Sequence, residues 1–311
     1  MEAYKTEDGR REDLEAIEVN PVHGYIADKV MPVLNVTEKT GSVYYTTLTA
    51  DAASQDAVAR GTALTPVYLT ESVLTFSCAS KEKRYAIGRD EVKQMGGIEK
   101  ADRLGGTAAK RSVQRAVETA VAAAMQTSGG TISGAAHVSG AFLSEAQTAL
   151  KALQRYPGQT AFVCGFSAFN GVMRYTEVLN QFSLAALALG GGQALDVIAG
   201  RPEALRMLLA GILAVDVVLV GDDAHWGVNV GSSGIGCNAV FMKLPGADEF
   251  SHKLDPVYGK LVQYLPDGKQ PYIIESYYDL QLKSNMYDAE IWVSLEEMNA
   301  GAAYILTDLI A

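Results

Sequence analysis

The sequence predicts an α+β fold in which a two-stranded projection and an inserted α/β unit are tied to one long helix. Three observations predict it. A small-residue helical run covers about 98–125, after two strand-like stretches at 42–49 and 66–78. Two helix-then-strand units follow, at 144–164 and 201–220. Strand-like runs then return from Ala239 towards the C-terminus. An early helix and late strands belong to one domain, with the α/β unit inserted between them.

The elements follow in order. Residues 1–18 are polar and centre on Glu7-Asp8-Gly9-Arg10-Arg11-Glu12-Asp13. They are expected to form a mobile arm with one short helix over Arg11–Ile17. Residues 19–36, with Pro21 and Pro32, are expected to be extended. Ser42–Thr49 and Pro66–Cys78 are rich in β-branched and aromatic residues and read as strands. Between them, Ala50–Thr65 has no aromatic residue and little to pack. A structureless connection of that length is unusual inside a compact domain, so it reads as the tip of a long two-stranded loop. An isolated hairpin is marginal in water. Such a loop needs a partner surface, which a neighbouring copy would supply.

Lys81–Met95 is charged and ends at Gly96-Gly97. In the helix from Ile98 to Met125, Ala109, Val113, Ala116, Val117, Ala120, Val121 and Ala124 recur every three or four residues. They make one small-residue face, and Lys110, Arg111, Arg115 and Glu118 mark the other. At ~1.5 Å per residue this helix spans roughly 40 Å. Gly129-Gly130 ends it, and 131–140 reads as a loop. A helix over Ser144–Arg155 stops at Tyr156-Pro157-Gly158, and Thr160–Cys164 is a short buried strand. Residues 165–182 read as helix plus loop, and Gly190-Gly191-Gly192 as a break. Pro202 opens a helix whose Leu205, Leu208, Leu209, Ile212 and Leu213 fit an amphipathic template, and Val215–Val220 is a buried strand. Ala239–Leu244 is strand-like and 246–271 reads as loops, with Pro256, Pro266 and Pro271. Strands are expected at Tyr272–Tyr278, Gln281–Ser284 and Tyr287–Val293, and Ala302–Ile310 closes the chain.

The bulk numbers exclude several classes. A chain of 311 residues, 48% hydrophobic and 20% charged, has ample core for one or two domains and is not wholly disordered. No apolar run reaches the ~18 residues of a membrane span, since Gly211 and Asp216 break Leu208–Val220. Met1–Glu18 lacks a signal-peptide core, so a cytosolic site of synthesis is expected. A net charge of −10 repels phosphate backbones and argues against sequence-specific or wrapping nucleic-acid binding. It suits a container that must not adhere to what it holds.

No chemistry emerges from the motifs, and no catalytic, cofactor-binding or metal residue is assigned. Cys78, Cys164 and Cys237 form no CxxC pair and read as buried thiols. His23, His137, His225 and His252 lack metal-ligand spacing. There is no phosphate loop, dinucleotide fingerprint or nucleophile elbow, and Gly231–Gly236 reads as a turn. Asp222-Asp223 beside His225 has the residue types of an acid/base pair, but polar turn residues are expected at a strand end. Asp90-Glu91 and Glu296-Glu297 point apart if helical and read as solvated surface. The tyrosines cluster at Tyr44-Tyr45, Tyr272–Tyr278 and Tyr287, a composition that suits interfaces. Lys and Arg are too sparse there for a base-stacking platform.

Three stretches carry a family resemblance. They are Tyr25–Pro32 with Thr40-Gly41 and Val43-Tyr44, Pro202–Val220 followed by Ala224-His225-Trp226, and Gly236–Leu244 with Tyr277-Tyr278. In this order, from about Asn20 to the C-terminus, the chain resembles the HK97-like major capsid proteins of tailed bacteriophages. The resemblance implies an N-terminal arm (1–37), an extended loop (38–79), a peripheral domain (80–150 and 223–311) around the spine helix 98–125, and an axial domain (151–222). It implies a structural, non-enzymatic subunit that assembles in the host cytoplasm into pentamers and hexamers of an icosahedral virion head around double-stranded DNA. Its partners would be copies of itself, a portal protein, a decoration protein and, given the short stretch before Asn20, a separate scaffolding protein or none. No cofactor and no membrane are implied. An encapsulin-like nanocompartment shell and a soluble α/β enzyme are the alternatives.

Overall fold

The computed structural model describes residues 10–16, 24–47, 70–127, 130–132, 141–154, 156, 158–188, 202–226, 238–244, 258–266, 270–306 and 309. The N-terminal part holds α1 (Glu12–Glu15), α2 (Ala27–Val30), β1 (Val33–Val36), β2 (Thr40–Thr47), β3 (Thr70–Ser77) and β4 (Ala79–Gly88). Next come α3 (Arg89–Gln94), the long α4 (Ile98–Thr127), β5 (Gly130–Ile132), α5 (Phe142–Leu153), β6 (Gln159–Gly165), α6 (Phe166–Arg174) and α7 (Thr176–Ala188). The remainder comprises α8 (Pro202–Leu213), β7 (Val217–Gly221), α9 (Asp223–Trp226), β8 (Ala239–Leu244), β9 (Gly259–Tyr264), β10 (Tyr272–Asp279), β11 (Ser284–Glu297) and β12 (Ala303–Leu306).

Two five-stranded sheets share the helix α4. In the first, β11 is the axis. β4 pairs with Ser284–Val293 and β10 with Ser284–Ile291, so the two flank β11 on opposite edges. β9 pairs antiparallel with Val293–Glu297, and β1 runs parallel to β9. The second sheet has the order β5-β12-β8-β6-β7. Its central strands are apolar on both faces because both are covered. Ala161, Val163, Val240 and Met242 face the core that contains Val113, Val117, Val121 and Met125 of α4. Phe162, Cys164, Ala239 and Phe241 face a second core made with α5, α6 and α8. This sheet is therefore a wall between two cores.

Ala239–Leu244 is a strand, lying between β12 and β6 in the second sheet. All six of its residues are buried, and only a central position covers both faces of a strand. Several expectations need correction. Residues 246–271, expected as loops, contain β9, whose Gly259 to Gln263 are buried. The expected extended stretch 19–36 contains α2, with Ala27 and Val30 buried against α4, and β1. Lys81–Met95 divides between β4 and α3. Gln281–Lys283 is the turn of the β10–β11 hairpin, and residues 166–188 form two helices. The described part of the polar arm, Arg10–Ala16, is docked on the body, with Leu14 and Glu15 buried. Ala50–Thr65, Gly190-Gly191-Gly192, Gly231–Gly236, Cys237, His23, His137 and His252 lie outside the described residues.

The end of α8 carries a backbone anomaly. Val215 N–H donates to the Ala210 carbonyl (3.0 Å) and Ala214 N–H to that of Gly211 (3.3 Å), which is the pairing of a Schellman cap. The left-handed position of that cap normally takes glycine, yet it is Ala214 with φ 54°. Ala214→Gly is expected to raise stability by up to about 1 kcal/mol in urea titrations, since an L-residue there costs about that much.

Candidate assembly surface

The ribbon of β2 and β3 stands apart from both five-stranded sheets. The two strands pair from Thr40↔Ser77 to Thr47↔Thr70, and among the described residues neither pairs with another strand. Its anchor is a small core at one end. Phe76, Cys78 and Val262 are buried there, with Leu34, Val36, Val43, Tyr264 and Trp292 packed around them. Gly41 makes room, because a Cβ there would stand 3.0 Å from the Phe76 ring. Cys78 N–H donates to the Lys39 carbonyl (2.8 Å), and the Lys39 ammonium sits 3.4 Å from the centre of the Trp292 ring. Burial pushes the Cys78 thiol up, which suits packing rather than reactivity. Beyond that anchor Val73 is exposed, and among the described residues no further strand joins either edge of the ribbon.

A second apolar projection is the β10–β11 turn, where Leu280 and Leu282 are 81% and 65% exposed. The Asp279 carboxylate holds this turn by accepting from the N–H groups of Gln281 (2.8 Å) and Leu282 (3.0 Å).

Two polar clamps on α4 hold the surrounding parts in place. The first is Glu118, which is 1% exposed. Its carboxylate accepts from Ile26 N–H (3.1 Å), Ala27 N–H (2.9 Å) and the indole N–H of Trp226. It thus ties α2 and α9 to the helix. Burial pushes its carboxyl up, partly offset by those donors. Gly221 admits the indole, since a Cβ there would meet the ring at 2.2 Å. The second clamp holds the N-terminal segment. Asp102 accepts from Tyr287 Oη (2.6 Å) and Arg11 Nη1 (3.1 Å), and Lys110 Nζ donates to the Glu15 carbonyl (2.7 Å). Arg10 and the backbone N–H of Ile274 both bind the Glu15 carboxylate.

Lys110 and Glu118, which mark the face of α4 opposite its small residues in the sequence reading, are both buried. Their partners come from segments about 90 residues away in sequence, beyond the reach of helical periodicity. Gly105-Gly106 inside the helix is the sequence signal for close packing near its first turns. Glycine weakens a helix interior, so a pair implies close approach. The ring of Tyr287 lies over Gly105, and Leu14 Cβ would be 3.4 Å from a Cβ at Gly106.

Burial lowers the Lys110 ammonium to about 8, partly offset by the Glu15 carboxylate. Unfolded lysine titrates near about 10.4. The unfolded chain therefore binds more protons between those values, and stability rises with pH across that window. The Cys78 thiol, pushed up by burial, acts with the opposite sign above about pH 8.5, and Tyr25, Tyr272 and Tyr287 do so above about pH 10. Lys243, lowered by burial as well, adds to the Lys110 effect, so between pH 8 and 9.5 the urea midpoint of the wild type is expected to change more favourably with pH than that of Lys110→Met, and equal pH profiles would remove the Lys110 assignment.

The remaining residues of chemical interest do not converge. Asp222 and Asp223 start a short helix rather than a turn. Asp223 binds Ser167 N–H (2.7 Å) and Oγ (2.6 Å), while His225 Nδ1 meets Thr119 Oγ1 (2.9 Å). Their role is to fasten α9 to α6 and α4. Glu296-Glu297 ends a strand, and Glu297 accepts from Tyr258 Oη (3.3 Å). Glu91 caps α3 through Gly88 N–H (3.0 Å). Cys164 is buried in the second core. Among the described residues no cluster of His, Cys, Asp or Glu could hold a metal ion, and no helix is long and apolar enough to cross a membrane.

No family model and no curated protein matches the chain. Solved structures do. A phage-related protein of Bordetella bronchiseptica matches with a TM-score of 0.58 at 13% identity, over 93% of each chain. A virus-like particle from Pyrococcus furiosus matches at 0.52 and 9% identity, over 89% of this chain and 90% of that one. The mature capsid of bacteriophage PhiM1 matches at 0.50 and 11% identity, over 93% and 89%. The chain has the HK97-like capsid fold, the α+β architecture predicted from its sequence.

Proposed function

We propose that this chain is a major capsid protein, a structural subunit that self-assembles into pentamers and hexamers of an icosahedral phage head around double-stranded DNA. The observation that carries the reading is the β2–β3 ribbon, paired only with itself among the described residues and anchored only at its base, on a fold shared with a phage capsid. An isolated two-stranded ribbon is marginal in water, and the surface of a neighbouring copy completes it. In this reading the ribbon and residues 48–69 form the extended loop and α4 is the spine of the peripheral domain. The second sheet with α5 to α8 is the axial domain. Obligate contacts of this kind commonly bury more than ~2,000 Å², and many per subunit add through multivalency. Partners are further copies, with portal, scaffolding and decoration proteins completing a virion assembled in the host cytoplasm.

Negative-stain microscopy of the expressed protein tests this. Rings or closed shells are expected, and a monomer at all concentrations overturns the reading. Shells filled with protein and free of nucleic acid would make the chain a nanocompartment subunit instead.

A further inference from the structure

Helix α8 presents a face that nothing among the described residues explains. At about 100° per residue, Glu203, Met207, Gly211 and Ala214 share an arc of about 80°. All four are exposed, and Met207 is 71% exposed. A glycine inside a helix weakens it, and one is tolerated where another group needs the space. At Gly211 no atom lies within 4 Å of the position a Cβ would take. The turn geometry does not demand it either, since the left-handed residue is Ala214. The space at Gly211 is therefore kept for something outside the subunit, beside a protruding methionine.

The same chain carries a hole that fits that protrusion. A cleft of about 220 Å³ opens between α5, α7 and α8, lined by Leu143, Ala146, Gln147, Gln181, Ile212 and Leu213. Ile212 and Leu213 lie about 120–140° round α8 from Met207, so knob and hole face apart and one subunit cannot join its own. The charges beside them are complementary. Glu203 lies one turn before Met207, and Lys151 one turn after Gln147. Both are exposed, and neither has an ion pair among the described residues. An antiparallel crossing of α8 on α5 of another copy brings them together.

We propose that the Glu203–Met207–Gly211 face of α8 docks on the α5–α7–α8 cleft of a second copy of this chain. Met207 enters the cleft, Gly211 lets the neighbouring helix approach, and Glu203 pairs with Lys151. The contact joins two different faces, so it is heterologous and propagates from copy to copy until a ring closes. It rests on the reading of the chain as a shell subunit.

Gly211→Ala separates this contact from a structural role, because the two predict opposite signs. It is expected to raise the melting temperature of the dissociated subunit by about 2–4 °C. It should also raise the concentration needed for rings or shells about tenfold or more, as the loss of about 1.4 kcal/mol would. Glu203→Lys and Lys151→Glu should each weaken assembly, and the double variant should restore it. If the wild-type chain assembles and Gly211→Ala and both charge reversals assemble equally well, this contact is overturned and the shell reading stands. A double variant as poor as the single ones also overturns the contact. A wild-type chain that forms no rings or shells overturns both.

Discussion

Glu118→Leu is expected to destabilise the subunit by about 3–5 kcal/mol, the cost of leaving buried donors without an acceptor. Three N–H groups aim at this carboxylate, from Ile26, Ala27 and Trp226. Leucine matches the apolar surroundings and recovers part of the loss through burial, but it accepts no hydrogen bond. Glu118→Gln keeps one acceptor oxygen and should cost about 1–2 kcal/mol. Because burial raises the carboxyl in the folded chain, the wild-type contribution from this group is fullest below about pH 4.3, the unfolded value. It declines as pH rises through the folded value. The glutamine variant lacks that dependence. Urea unfolding across pH measures both effects, and a leucine variant within 1 kcal/mol of wild type would mean that the clamp is not formed.

Deleting Ala53–Ala63 is expected to leave a folded subunit and to abolish shells. The ribbon's buried anchor is made of Phe76, Cys78 and Val262 at the end away from the deletion. The deleted stretch is made of small and polar residues with no aromatic, so its sequence offers little to pack. Shortening a loop changes closure entropy only slowly with length, so the melting temperature should move by no more than about 3 °C. Assembly should fail because the shortened ribbon no longer reaches its neighbour. Calorimetry of the dissociated chain and electron microscopy read the two outcomes separately. Normal particles from this deletion would remove the ribbon from the list of contacts.

The parts legible in the sequence were those whose signal is local. The apolar repeat of α8, the small-residue face of α4 and the strand at Ala239–Leu244 all stand where periodicity puts them. The β2–β3 ribbon was visible because two β-rich runs flank a stretch with nothing to pack. What escaped depends on distant partners. β9 is one short run between prolines and becomes a strand through β1 and β11. α2 is a single turn held by Glu118, 91 residues away from Ala27. Lys110 and Glu118 look like surface charges until the chain folds over them. The α8 face was hidden for the opposite reason: Gly211 fits an apolar helix, and only the empty space around it in three dimensions marks it as unusual.

Phe162 and Val163 are chain neighbours, yet they belong to different cores on the two sides of β6. The lobe beyond that strand is consequently not a detachable cassette. A recombination event breaking the gene within 159–165 would mate one parent's inner lining with the other's outer lining. Viable mosaics between divergent relatives should therefore exchange this strand whole, together with the helices on both of its flanks.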